Sequence, residues 1–214
     1  MSAVAGIRNL RLPLDEESVR RLRVGDFVTL TGDIVLTAGL PTHERILQHI
    51  EAGQALPIDI AGGTLFHLGS YSREADGKFE VLYMNPTTST RFNPFMPRFI
   101  RQFGLRAVGG KGGLDRACAE AMREVGCVYL SFHGGGAALH SAAIKAVVDV
   151  AWNDLVAHYR LVKLRVEDLG PLAVAIDAHG NSAYDQLGQA AQARLPQILR
   201  ELDAERAAAP KPGA

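Results

Sequence analysis

Three loops constrain this chain more than any other feature: NPTTSTR (85–91), VGGKGG (108–113) and FHGGGAAL (132–139). Each follows a short apolar run that reads as a strand, and each leads toward a segment with helical spacing. Strands that end in a loop and return through a helix are laid side by side, so their loops gather at one edge of a sheet. Backbone N–H groups and helix N-termini then face one crevice, which favours carboxylates or phosphates. Arg91 and Lys111 lie in two of these loops and would add charge-assisted hydrogen bonds. One such loop needs its glycines only for a tight turn. Three of one kind point to an anion pocket.

The rest of the chain fits this rhythm. VGDFVTLTGDIVL (24–36) reads as two short strands broken at Gly32-Asp33, and Pro41 opens a helix through THERILQHIEAG. TLFHLG (64–69) and KFEVLYM (78–84) read as strands around the polar turn READG, and MPRFIRQFG as a helix. LRAVGG and CVYLSF are strands, LDRACAEAMREVG a helix, and AALHSAAIKAVVDVAW (137–152) a second helix. Two strands, RLVKLRVED and LAVAIDAHG, precede a final helix over about 182–205. LAVAI is apolar enough to be covered on both faces. Residues 1–23 form a lead-in with a short helix in LDEESVRRL, 24–205 one mixed domain with parallel strands in its second half, and 206–214 a disordered tail.

Composition removes several classes of function. The 23 basic and 23 acidic side chains cancel, so nothing draws the chain to nucleic acid or an anionic membrane. No apolar run approaches the ~20 residues of a membrane span, and no signal-type segment opens the chain. Cys118 and Cys127 are the two cysteines, too few for a disulfide scaffold or for a metal site built by this chain alone. A reducing, cytoplasmic setting follows.

Two motif matches fail. GLRAVGGKGG lacks the spacing and the Ser or Thr of a phosphate-binding P-loop. HGGG at 133–136 resembles a hydrolase oxyanion segment, but no G-x-S-x-G elbow accompanies it. His133, His140 and His179 could meet in space, though their spacing is not that of metal ligands. Asp177 and Asn181 fit turn formation and N-capping. PTTSTR is the most chemically loaded segment. Its hydroxyls lead to Arg91, which can take a carboxylate bidentately and hold Thr87 beside it, while an ST-rich turn capping the next helix fits the spacing equally well. A threonine hydroxyl acts as a base only where strong positive charge favours its ionised form.

GDFVTLTGDIVLTAG…HER, FHLG, NPTTSTRF, VGGKGGL, GCVYLSFHGGGAAL and LAVAIDAHGNS occur in the order seen in the β region of iron–sulfur hydro-lyases. Over roughly residues 24–185 the chain therefore resembles the family of class I fumarases and L(+)-tartrate dehydratase β subunits. The resemblance implies an α/β fold, the swivelling β/β/α domain of the class I fumarase C-terminal type, with a mixed sheet and flanking helices. It implies a hydro-lyase that adds or removes water on a fumarate-, malate- or tartrate-like acid. A cysteine-bearing α subunit would hold the 4Fe-4S cluster, in an α2β2 assembly, and this chain would hold no metal. By position Thr87 resembles the catalytic base, and Arg91 and Lys111 the carboxylate ligands. His43 and Arg45 resemble the family's HxR element. The arginine that usually precedes it is replaced by Gly39, which implies a substrate altered at that end or a substitute such as Arg45 swinging in. The other reading of the same fold is a non-catalytic anion-binding or regulatory module. The three retained polar groups argue against it.

Overall fold

A computed structural model describes residues 6–76 and 78–208. The chain opens with β1 (Arg8–Arg11), α1 (Glu16–Arg20), β2 (Phe27–Leu36) and α2 (Leu40–Glu51). Next come β3 (Thr64–Phe66), β4 (Leu68–Ala75), β5 (Lys78–Pro86), a 3-10 turn (Ser89–Phe92), α3 (Met96–Phe103) and β6 (Ala107–Gly110). Then follow α4 (Arg116–Val125), β7 (Val128–Ser131), α5 (Ala137–Ala142), β8 (Ile144–Ala151), a 3-10 turn (Ala157–Tyr159), β9 (Leu161–Ile176) and α6 (Ala183–Ala208).

Seven strands form one sheet in the order β1-β2-β3-β6-β7-β9-β8. The run from β1 to β7 is parallel, as the strand–loop–helix units require, and β9 runs antiparallel to both β7 and β8. β9 also pairs with β2 along almost its whole length, from Phe27↔Ala173 to Leu36↔Val162. That pairing joins β2, β3, β6, β7 and β9 into a closed ring. β4 and β5 form a separate two-stranded hairpin.

Strand alternation gives the ring two faces. Ile34, Leu36, Phe66, Leu130, Leu164 and Val174 belong to one buried cluster. Their neighbours Val35, Leu65, Tyr129, Leu161 and Ala175 belong to a second, packed against Phe99 and Ile100 of α3 and Cys118 and Met122 of α4. The helices start where expected. Pro41 and Pro97 occupy first-turn positions, and Asp115 caps α4 by accepting from the Cys118 N–H at 3.0 Å. The lead-in takes part in the sheet, since β1 pairs with residues 28–31 of β2 and α1 is capped by Asp15. α6 extends through residues 206–208 of the expected tail, and 209–214 lie outside the described residues.

Four segment expectations are corrected. Residues 27–36 form one strand, with Gly32 absorbed at a register shift against β9 rather than starting a turn. The helix expected over 137–152 ends at Ala142, because Ile144–Ala151 is recruited as β8 by pairing with β9. The two strands expected in 160–180 are one 16-residue strand. LAVAI is buried as expected, at Leu172 and Val174–Ile176, but in antiparallel pairing.

Candidate active site

At the C-terminal ends of β3, β6 and β7 the three loops cross through backbone hydrogen bonds. The His67 N–H donates to the Gly109 carbonyl at 2.7 Å, and the His67 carbonyl accepts from the Thr87 N–H at 2.9 Å. Lys111 N–H donates to the Thr87 carbonyl at 3.0 Å, Ser89 N–H to the Lys111 carbonyl at 2.8 Å, and Phe132 N–H to the Gly110 carbonyl at 2.9 Å. Gly110 sits where the strands cross: a Cβ there would lie 3.0 Å from the His67 Cβ and 3.1 Å from the Thr87 carbonyl oxygen. A side chain at 110 would push the loops apart.

This crossing brings Thr87, Arg91 and Lys111 together. Thr87 lies just before the 3-10 turn that carries Arg91, and Arg91 Nη2 donates to Thr87 Oγ1 at 2.7 Å. The guanidinium lies 5.1 Å from the centre of the Phe92 ring, which fixes its plane. Lys111 is backbone-bonded to Thr87, and its stem runs against Gly134 of the HGGG loop, 3.7 Å from where a Cβ would stand. A guanidinium donating to a hydroxyl oxygen stabilises the alkoxide over the alcohol, and a nearby ammonium acts in the same direction. Two cationic side chains and a hydroxyl thus start from one cluster of crossing loops.

Behind them lie two histidines with no exposed surface, His43 from α2 and His67 from the β3–β4 junction. His43 stacks on Phe92 with ring centres 4.0 Å apart, and its Nδ1 donates to the Gly39 carbonyl at 2.7 Å. The neutral tautomer therefore leaves a lone pair on Nε2, which is buried and has no hydrogen-bond partner. Burial lowers its pKa from 6.5 to about 4, with the Arg91 charge acting in the same direction. His67 Nδ1 joins Ser89 Oγ at 2.9 Å, and Ser89 Oγ joins the Tyr129 hydroxyl at 2.9 Å. Burial, then the neighbouring His43 and Arg91, hold His67 well below the ordinary histidine value. Sequence reasoning left His67 out of the site. The one signal for it was a histidine inside the otherwise apolar run TLFHLG.

Gly39 and Arg45 are placed differently from the expectation. A Cβ on Gly39 would lie 2.5 Å from Thr42 Oγ1 and 2.7 Å from the Tyr159 Cβ, so an arginine fits there only if the 157–159 turn shifts. What Gly39 supplies is its carbonyl, to His43. Arg45 does not reach the crevice. Two residues along a helix turn the side chain about 200°, so His43 faces inward while Arg45 faces away. There it grips Asp154 with both nitrogens, at 2.9 and 2.7 Å, and lies 5.5 Å from the Trp152 ring centre.

The IDAHGNS segment lies at the opposite end of the sheet, next to α1. The Asp177 carboxylate accepts from the Val24, His179 and Asn181 N–H groups and from Asn181 Nδ2, which is the turn-forming role expected of it. His179 bonds the Arg20 carbonyl and His140 the His133 carbonyl, so the three histidines are not brought together. Among the described residues no group of three or more His, Cys, Asp or Glu side chains is placed to hold a metal ion. Cys118 and Cys127 are buried and their thiols are pushed upward by burial, so this chain offers no fit to an iron–sulfur cluster. Among those residues no helix is long and apolar enough to cross a membrane.

Comparison with known proteins supplies the remaining observation. L(+)-tartrate dehydratase subunit beta of Escherichia coli K12 is 32% identical over 193 residues, covering 90% of this chain and 94% of that protein. A provisionally named subunit of the same kind from Methanocaldococcus jannaschii is 32% identical over 187 residues, 87% of this chain and 95% of its own length. A provisionally named class I fumarate hydratase from Geobacillus stearothermophilus is 33% identical over 190 residues, 88% of this chain but 36% of that longer protein. The family model described as Fumarase C-terminus matches residues 5–187, from before β1 to the first turns of α6. The chain therefore belongs to the Fumarase C-terminus family.

Proposed function

We propose that this chain is the β subunit of a hydro-lyase that reversibly adds or removes water on a small hydroxy acid of the fumarate, malate or tartrate type. The observation that carries the reading is the 2.7 Å bond from Arg91 to the Thr87 hydroxyl, beside a loop whose Lys111 N–H donates to the Thr87 carbonyl. In the dehydration direction Thr87 Oγ1, as alkoxide, takes the proton from the carbon next to a carboxylate. The C–H electron pair becomes the new π bond, the hydroxyl on the adjacent carbon leaves with its bonding pair as hydroxide, and the proton given up by Thr87 completes it to water. Arg91 and Lys111 hold the carboxylates and, by their charge, keep Thr87 ionised. In hydration Thr87 returns the proton. The buried, neutral His43 and His67 add no competing positive charge behind these groups.

The cofactor belongs to the other half of the enzyme. A cysteine-bearing α subunit, in an α2β2 assembly in the cytoplasm, would hold a 4Fe-4S cluster and close the crevice from the other side. The relatives named as β subunits and the longer single-chain fumarate hydratase support this division.

An anaerobic assay with fumarate, malate and the tartrate isomers tests the reading. Activity is expected only when this chain is co-purified with the cysteine-bearing subunit, and it should disappear in Thr87→Ala. A stable, cluster-loaded complex inert toward every acid would overturn the assignment.

A further inference from the structure

Among the described residues α6 is the one long element that its own chain leaves uncovered. It is anchored through Tyr184, whose ring meets Tyr129 at 6.0 Å and whose hydroxyl reaches Ser131. From Gln186 to Ala207 every residue is exposed, Leu187 at 71%. In folded proteins most helical stability comes from the packing of an amphipathic face rather than from propensity. Its sequence is nonetheless amphipathic: Ala191, Leu195, Ile198 and Leu202 follow one another at intervals of four, three and four residues, the spacing of a two-helix coiled coil, while Pro196 inside the helix lies off that face and kinks it. Leu187 and Leu199 flank that seam. The matched family region ends at residue 187, so the family does not account for the stripe.

We propose that this stripe pairs with the same stripe of a second copy of the chain, antiparallel and about a two-fold axis. Three observations select this occupant. In antiparallel register Leu195 faces Ile198 of the other copy and small Ala191 faces large Leu202, so every layer is filled. A parallel pair would stack Ala191 on Ala191 and leave a gap. The same register sets Arg194 beside Glu201 of the other copy, twice by symmetry, on the edges of the seam. Finally, the folded body sits at the N-terminal end of α6, so antiparallel pairing keeps the two bodies at opposite ends while parallel pairing crowds them together. The proposal is independent of the reaction assigned above.

The test is sedimentation of the full chain over micromolar to high micromolar concentrations. A concentration-dependent dimer is expected, and Leu195→Glu with Ile198→Glu should leave a monomer that melts as the dilute, dissociated wild-type chain does, since both side chains are exposed in the single chain. Arg194→Glu should weaken the dimer and Arg194→Glu with Glu201→Arg should restore it. On oxidation the pair Ala191→Cys with Leu202→Cys should give a covalent dimer, while Ala191→Cys alone should not. A monomer at all concentrations, a dimer indifferent to the glutamates, or self-crosslinking through residue 191 alone would overturn the proposal. So would a monomeric chain whose glutamate variant loses only its binding to the cysteine-bearing subunit, which would give the stripe to that partner.

Discussion

The two ends of the sheet each gather a knot of polar residues, and the knots are built on opposite terms. At the end next to α1, Asp177 is buried and its oxygens accept from Val24, His179 and Asn181, while His179 is tied to the Arg20 carbonyl. At the other end Arg91 and Lys111 bring positive charge with no carboxylate bonded to them among the described residues, and His43 and His67 bury ring nitrogens that have no partner. A polar cluster that satisfies itself holds the fold together. One that leaves cations and lone pairs unmatched is held open by the fold for something else. Both clusters carry conspicuous sequence motifs, so only their bonding tells the two apart.

The largest expected effect is at the open end. Thr87→Ala should lower kcat of the assembled enzyme by about 10³-fold, the scale of a lost general base, with the denaturation midpoint little changed because its hydroxyl bonds only Arg91. A fall in stability with kcat intact would reverse the comparison. Asp177→Ala should do the opposite. Removing the buried carboxylate unpairs its partly buried N–H donors and costs about 1–3 kcal/mol in urea unfolding, with kcat per folded enzyme unchanged.

A subtler difference lies in acid response. His43 is held near pKa 4 in the fold and returns to about 6.5 when unfolded, so below neutrality the unfolded chain binds the extra proton. Stability is therefore full above about pH 6.5 and is lost as pH falls toward 4, by about 2 kcal/mol between pH 7 and pH 5 from this group. The gap between urea midpoints at the two pH values should narrow in His43→Gln, with buried His67 supplying part of what remains, and an unchanged gap would refute the assignment. The smallest effect is at Arg45. Arg45→Ala should leave kcat/KM untouched, because its partner is Asp154 at the surface. A drop beyond about tenfold would return Arg45 to the site.

Local chemistry made much of this legible. Pro41, Asp115 and the apolar spacing of MPRFIRQF act within a few residues, and the helices they announce formed as read. The four corrected segments all involve β9. Gly32-Asp33 was read as a turn and IKAVVDVA as helix because a partner 130 residues away, or one arriving after a 3-10 turn, leaves no local mark. The site divides in the same way. Thr87 and Arg91 are one turn apart in sequence and were visible together, whereas His67 enters only through the crossing of three loops. Arg45 was misplaced because a motif fixes spacing along the chain, and on a helix that spacing sends alternate residues to opposite sides.

The closed ring also has a consequence in time. Its first strand, residues 27–36, meets β1 and β3 early but finds its longest partner in residues 161–176, so one edge of it stays uncovered until those residues have been made. Closure of so long a loop favours slow folding, and the waiting edge of β2 is where a nascent copy is most exposed to pairing with the wrong neighbour.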